Sequence, residues 1–458
     1  MVDVEGKRIV VVGAARSGIA AALLLARRGA RVTLADLKPD LPEAAMLIDH
    51  GVEVALGPHD AKRFTAADLI VLSPGVPLRQ PVLTRVRRAK VPIVGEIELA
   101  SRMLRGRIVA ITGTKGKSTT TTLVGRMLAQ AGLAATVAGN IGDPLSAKVD
   151  ASTDETIHVV EVSSFQLETT QTFHPWIAAL LNLSADHLDR HANLREYAAA
   201  KARVFANQGA SDWAVVNADD APAMRLAGRR AAAPKVLFSL DRALDEGTTL
   251  ADGWIVSRAP GRADVGMLPV SEVQLIGRHL LSDVVAAATI ARIAGAAPEA
   301  IRAAVAGFRG LEHALELVRV VGGITFVNDS KATNVESARR AIESFERGLV
   351  PIIGGKFKGG DLRDLRPALQ ARSTAVVAIG DARPVVRAAF EDVLAVIEAG
   401  SMAEAVRAAV GAAPPGGTVL LAPACASFDM FRDYAERGRV FKQEVARLAE
   451  ELEGTREP

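Results

Sequence analysis

The stretch ITGTKGKSTT (111–120) closes an apolar run and brings Gly113, Gly116, Lys117 and Ser118 close together. A glycine-rich turn between a strand and a helix N-terminus gathers backbone N–H groups into an anion site. Lys117 could then reach terminal phosphates, and the Ser118 hydroxyl could ligate Mg²⁺. The phosphate-loop spacing G-x-x-x-x-G-K-[ST] would need glycine at 111, where Ile111 stands, so a strand–helix turn with an incidental lysine is the alternative. Other groups suited to phosphate chemistry follow. HVVEVSSFQLE places Glu161 at the end of an apolar strand, a position for a second acidic Mg²⁺ ligand. ALLNLSADHLDRH places Asp186, His187 and Asp189 just after another strand. Mg²⁺ prefers oxygen ligands, so His187 would be an unusual one. Lys201, in YAAAKARVF, reads in isolation as a solvated lysine that buries only its stem.

A second nucleotide signal lies near the N-terminus. RIVVVGAARSGIAAALLLARRGARVTLAD has the order strand, glycine turn, helix, strand and acidic end. Gly13 and Gly18 fill the first and third positions of G-x-G-x-x-G, while Ala15 fills the second, where glycine lets backbone approach a pyrophosphate. That methyl group weakens the case for NAD. Asp36 ends the second strand, within reach of a ribose hydroxyl, and LSPGVP offers another glycine turn, with Gly75, at a strand end. A plain strand–helix–strand turn with a capping acid is the competing reading. A nucleotide site needs no redox chemistry.

These groups need a scaffold. The chain has 458 residues, which at ~150 residues per domain suggests about three domains. Apolar runs alternate with Ala- and Arg-rich helical stretches, the pattern of parallel α/β sheets. The expected strands are 8–12, 31–35, 69–72 and 92–94 in a first block. A second block carries 107–112, 157–162, 177–182 and 213–217, a polar insert at 241–275, and helices near 280–295 and 298–306. A third carries 324–328, 349–353, 375–379, 393–397 and 418–422. The expected domains are a Rossmann-like 1–103, a central phosphate-loop ATPase-type 104–308 and a Rossmann-like 309–458. Fifty-five basic against 52 acidic residues is no nucleic-acid footprint. A lone cysteine, Cys425, excludes an internal disulfide. No run of 18 apolar residues could span a bilayer, and the N-terminus lacks signal-peptide features. A soluble cytoplasmic protein is the expectation.

Taken in order, GTKGKST, EVSSFQLE, LNLSADHLDRH and YAAAKARVF resemble the Mur ligases, the ATP-dependent amide ligases of bacterial cell-wall precursors. VNDSKATN (327–334), GGKFKGGDL (354–362) and LAPACASFDMFRDYAERG (421–438) resemble the branch that adds D-glutamate to UDP-N-acetylmuramoyl-L-alanine. The family's clamp is G-T-x-G-K-[ST], which never needed glycine at 111, and its first domain holds UDP, which suits Ala15. The resemblance implies ATP at Gly113, Thr114, Lys115, Gly116, Lys117, Ser118, Thr119, Asp283 and Asp329. It implies the sugar nucleotide at Ala15, Arg16, Ser17, Asp36, Gly75, Asn140, Ser163 and His187, and D-glutamate at Lys331, Thr333, Lys358, Ser427 and Phe428. Two Mg²⁺ ions would be held by Ser118, Glu161, His187 and Lys201, the last as a carbamate. Lys117, Glu161, His187, Lys201 and Lys331 would act in catalysis, in a monomer working on small molecules. The string GRHLLSD departs from the family: Leu280 and Asp283 replace two asparagines that read adenine, and Ala314 replaces an arginine near the phosphates. These changes fall on the ATP side and predict weaker ATP affinity or relaxed base preference. A sibling ligase for another amino acid, folylpolyglutamate synthetase, a catalytically silent descendant and a dehydrogenase remain as rivals.

Overall fold

The computed structural model describes residues 3–184 and 190–454. The chain forms two compact units, one of Met1–Glu272 with Ser282–Ala306 and the other of Val273–Leu281 with Gly307–Pro458. The first unit contains two sheets. Strands β1 (Arg8–Val12), β2 (Arg31–Asp36), β3 (Glu53–Leu56), β4 (Leu69–Leu72) and β5 (Ile93–Gly95) make a parallel sheet in the order β3-β2-β1-β4-β5. Their interiors are near-continuous apolar runs because helices cover both faces.

The second sheet is larger. It comprises β6 (Arg107–Thr112), β7 (Ala135–Gly139), β8 (Ile157–Glu161), β9 (Ile177–Leu180), β10 (Trp213–Asn217), β11 (Lys235–Phe238), β12 (Gly247–Ala251), β13 (Trp254–Arg258) and β14 (Val265–Pro269). Its order is β14-β13-β12-β11-β10-β9-β6-β8-β7. The polar insert expected at 241–275 supplies the antiparallel edge β12–β14. At the end opposite that edge, β7, β8, β6 and β9 run parallel, with Gly139 opposite Glu161, Glu161 opposite Ile111 and Ile111 opposite Ala179. This register brings the ends of four strands to one row, where ligands of open α/β sheets bind.

The second unit is built on β15 (Glu316–Val321), β16 (Ile324–Asn328), β17 (Leu349–Gly354), β18 (Ala375–Ile379), β19 (Ala395–Ala399) and β20 (Thr418–Leu421). The order is β15-β16-β20-β17-β18-β19, with β15 alone antiparallel. Apolar clusters cover both faces, one around Leu349, Leu365 and Phe390 and the other around Phe326, Met402 and Phe441. Among the described residues no helix is long and apolar enough to cross a membrane.

Candidate active site

The phosphate turn sits between β6 and the helix Lys117–Gln130. Gly116 turns at φ 83°, and a Cβ there would lie 2.1 Å from Asp283 Oδ1, so only glycine fits. The turn is fastened from outside. Asn182, just beyond β9, accepts Thr114 N–H at its carbonyl and Lys115 N–H at Oδ1, and its amide donates to the Lys115 carbonyl at 3.1 Å. Thr114 Oγ1 donates to the Ser184 carbonyl and accepts from Ser184 N–H and the Tyr197 hydroxyl. Lys117 Nζ donates to the carbonyls of Gly113 and Thr114 at 3.1 and 3.0 Å. Ser118 and Thr119 open the helix, with Ser118 half-buried.

Glu161, at the end of β8, is 1% exposed. Its Oε1 accepts from Asn140 Nδ2 at 2.7 Å, while its Oε2 is buried with no hydrogen-bond partner. A buried carboxylate oxygen without a donor is costly unless a cation satisfies it, so this group fits a Mg²⁺ ligand. Lys201 is no solvated lysine: it is 1% exposed. Its Nζ donates to the Gly113 carbonyl at 2.7 Å and to Thr112 Oγ1, and lies 4.8 Å from the Tyr197 ring centre. As an ammonium it repels metal, so it fits a cation only after conversion to an anion. His187 lies outside the described residues. Among those described, no cluster of three or more His, Cys, Asp or Glu gathers as a metal cage.

Across the same unit a pocket of about 270 Å³ is lined by Ala15, Arg16, Ser17, Gly75, Asn140 and Gln166, among others. Gly13 and Gly18 flank Ala15 and Ser17 in the chain: a Cβ on Gly18 would lie 1.8 Å from the Gly13 carbonyl oxygen, and one on Gly13 would strike Ser73 and Val76. Ala15 meets no such limit and caps the helix Arg16–Arg27. Arg16 donates to the Gly142 carbonyl at 2.7 Å. Asp36 is outside the lining; its carboxylate accepts from the N–H groups of Ala14 and Lys38 and so pins the glycine turn. Burial pushes this carboxyl up, but those N–H groups win and hold it below the usual range. Ser163 is the N-cap of Ser164–Leu167, in a reciprocal capping box with Gln166.

Sequence reasoning missed Asn182, Tyr197 and Arg190. Arg190 donates to the carbonyls of Gly75 and Val76 and stacks over Phe165 at 4.5 Å. Asn182 and Arg190 lie in the quoted string LNLSADHLDRH, but their targets are remote in sequence, so only the fold could assign them.

In the second unit the expected amino-acid residues sit beyond the carboxyl ends of β16, β17 and β20. Lys331 and Lys358 are exposed. Lys358 Nζ lies 5.1 Å from the Phe428 ring centre, and that ring is 62% exposed. Thr333 N–H donates to the Lys331 carbonyl, and Ser427 is buried. Asp329 accepts from Leu315 N–H at 3.2 Å. Burial raises its carboxyl to about 7, against the pull of that N–H and Lys331.

The departing residues divide. Leu280 is 8% exposed and packs in the apolar cluster with Leu315, Val327 and Ala332. Asparagine there would bury an unsatisfied amide, so Leu280→Asn should cost about 2–4 kcal/mol in urea unfolding. Ala314 lies between His313 and Leu315, which both have positive φ. Asp283 packs on Gly116, beside the phosphate turn. Burial raises its carboxyl from 3.8 to about 8, with Lys117 pulling the other way. A carboxyl that binds its proton more tightly folded than unfolded loses stability as pH climbs from about 4 to about 8. This group's own contribution should therefore fall across that window, and Asp283→Asn should raise the melting temperature relative to wild type more at pH 8 than at pH 4 in calorimetry.

Both units carry the family's sequence patterns in order. Residues 7–95 match the Mur ligase MurD-like N-terminal domain, 111–291 the Mur ligase middle domain and 313–425 the Mur ligase glutamate ligase domain. The chain belongs to the Mur ligase family. Within it, the chain is 48% identical to the UDP-N-acetylmuramoylalanine–D-glutamate ligase of Acidobacterium capsulatum, covering 97% of both chains. It is 43% identical to the ligase of the same name from Koribacter versatilis, over 98% of this chain and 99% of that one. Among solved structures, the UDP-N-acetylmuramate-alanine ligase MurC of Thermotoga maritima shares the fold, with a TM-score of 0.58, 19% identity, and coverage of 96% of this chain and 99% of that one.

Proposed function

We propose that this chain is an ATP-dependent ligase that joins D-glutamate to UDP-N-acetylmuramoyl-L-alanine in peptidoglycan precursor synthesis. It would act in the cytoplasm as a monomer with domains 1–103, 104–308 and 309–458. The observation that carries this reading is the Asn140–Glu161 hydrogen bond. Asn140 lines the 270 Å³ pocket, and Glu161 stands in register with the strand that enters the phosphate turn. One amide thus joins a pocket suited to a sugar nucleotide to a carboxylate suited to a cation. The two full-length relatives bear the matching enzyme name.

A carboxylate becomes reactive toward an amine once its oxygen carries a phosphoryl group. The L-alanine carboxylate attacks the γ-phosphorus of ATP, the bond to the bridging oxygen breaks, and ADP leaves with an acyl phosphate behind. The D-glutamate amine then attacks the acyl carbon, the C–O bond to phosphate breaks with its electrons leaving on phosphate, and the nitrogen loses one proton and keeps the other as the amide N–H. The turn 113–119 holds the phosphates, with Lys117 neutralising the transferred group. Ser118, Glu161, His187 and Lys201 carrying added CO₂ would hold two Mg²⁺ ions, which when bound screen the two anions as they meet. Arg16, Ser17, Gly75 and Asn140 hold the sugar nucleotide, and Asp329 is the residue assigned to the ATP ribose. Lys331, Thr333, Lys358, Ser427 and Phe428 receive D-glutamate, with the lysines facing its carboxylates.

A phosphate-release assay with ATP, the sugar nucleotide and a panel of amino acids tests this. Release with D-glutamate alone is expected. Release with another amino acid would make the chain a sibling ligase, and binding without release a silent descendant.

A further inference from the structure

Arg437 is the largest fully buried side chain among the described residues, 1% exposed, in the first turn of the helix Tyr434–Gly454. Its hydrogen bonds are all to uncharged oxygens. Nε donates to Ser330 Oγ at 2.9 Å and Nη2 to the Ser330 carbonyl at 2.9 Å. Nη1 donates to the Cys425 carbonyl at 3.1 Å and more weakly to that of Gly354 at 3.5 Å. These oxygens stand at or just beyond the carboxyl ends of the adjacent strands β16, β20 and β17. Each begins a loop with a distinct proposed contact: Lys331 and Thr333 after Ser330, Ser427 and Phe428 after Cys425, and Lys358 after Gly354.

We propose that Arg437 is the positioning residue of the amino-acid site, its guanidinium holding the three loops at the spacing that D-glutamate requires. This rests on the function proposed above. Burying a cation without a bonded carboxylate is expensive, and stability alone would be served by an apolar side chain of similar volume. The surroundings are shaped for the guanidinium: a Cβ on Gly355 would lie 3.2 Å from Nη1 and 2.2 Å from the Ala426 carbonyl oxygen. Two loops are also zipped by backbone bonds between Lys356 and Ala426, and Ala424 N–H reaches the Ala332 carbonyl. The guanidinium ties all three, because its planar fork points donors in several directions at once. Burial lowers its pKa to about 10, so it remains a cation at neutral pH, beneath loops that would bind a dicarboxylate.

The test is Arg437→Lys, which keeps the charge and loses the fork. The KM for D-glutamate should rise about 10-fold or more, with the KM values for ATP and sugar nucleotide within about two-fold. Amide hydrogen exchange should quicken in 329–333, 354–358 and 424–428 together. An unchanged KM for D-glutamate, or equal shifts in all three KM values with a lower melting temperature, overturns the proposal. If the lysine variant folds poorly, Ser330→Ala removes one of the four bonds, and a rise of about three-fold confined to D-glutamate is expected; no rise overturns the proposal. Wild-type turnover with a different amino acid would sink the functional reading, and faster exchange in all three loops would still report the tie.

Discussion

Lys117→Ala should lower kcat/KM for D-glutamate-dependent phosphate release by about 10³-fold, near 4 kcal/mol of transition-state stabilisation. The expectation follows from where the ammonium sits. It is held against the carbonyls of Gly113 and Thr114, inside the turn proposed to hold the nucleotide phosphates. When a phosphoryl group moves between two anionic oxygens, a fixed cation there counters charge that no neutral side chain could. The fold should hardly notice. Asn182, Ser184 and Tyr197 grip the turn independently of Lys117. The melting temperature should stay within about 3 °C of wild type, well short of what loss of a core side chain produces. A variant with normal turnover would remove this turn from the chemistry, and one that fails to fold would show that the ammonium has a structural task.

Glu161→Gln separates charge from shape. Glutamine can still present an oxygen to Asn140 Nδ2, so the link to the sugar-nucleotide pocket survives. The buried Oε2, which has no donor, becomes part of a neutral amide that holds a cation far less well. Turnover should fall about 10²-fold, and half-saturating Mg²⁺ should rise about 10-fold. The Mg²⁺-dependent thermal shift with a non-hydrolysable ATP analogue should shrink in parallel, which reads cation binding without catalysis. Without ligands the variant should melt close to wild type, because one unpartnered buried atom, the carboxylate Oε2, is exchanged for another, the amide nitrogen. Reduced turnover at an unchanged Mg²⁺ requirement would refute the role given to Glu161.

Much of the site was legible because its groups are local. Gly113 to Ser118 is one contiguous turn, and Glu161 follows an uninterrupted apolar strand. The three-sheet α/β plan was equally readable from alternating apolar and helical runs. Several strands escaped: β3 is the four-residue EVAL, β7, ATVAG, is small-residue rich, and β11, KVLF, is apolar but only four residues long. The β12–β14 edge hid within a polar insert because half its side chains face outward. β15 hid because its register breaks at a bulge between Leu317 and Arg319. Side-chain destinations were less readable still. Lys201 read in isolation as a solvated lysine because its chain neighbours are alanines, and only the family resemblance set it at the site; its burial against Gly113 depends on two elements far apart in sequence. Leu280 read as an asparagine lost from an adenine site, whereas it fills an apolar cluster. Asp283 read as an adenine contact, and its packing on Gly116 became visible only in three dimensions.

The grip on the phosphate turn has a consequence for the thermodynamics of the cycle. Thr114 and Lys115 are locked to Asn182, Ser184 and Tyr197 by hydrogen bonds within the protein itself. Little conformational freedom is left in that segment for a nucleotide to remove on arrival, so preorganisation reduces the entropic penalty of its capture. The ordering cost has been met once, during folding, and need not be met again at each turnover.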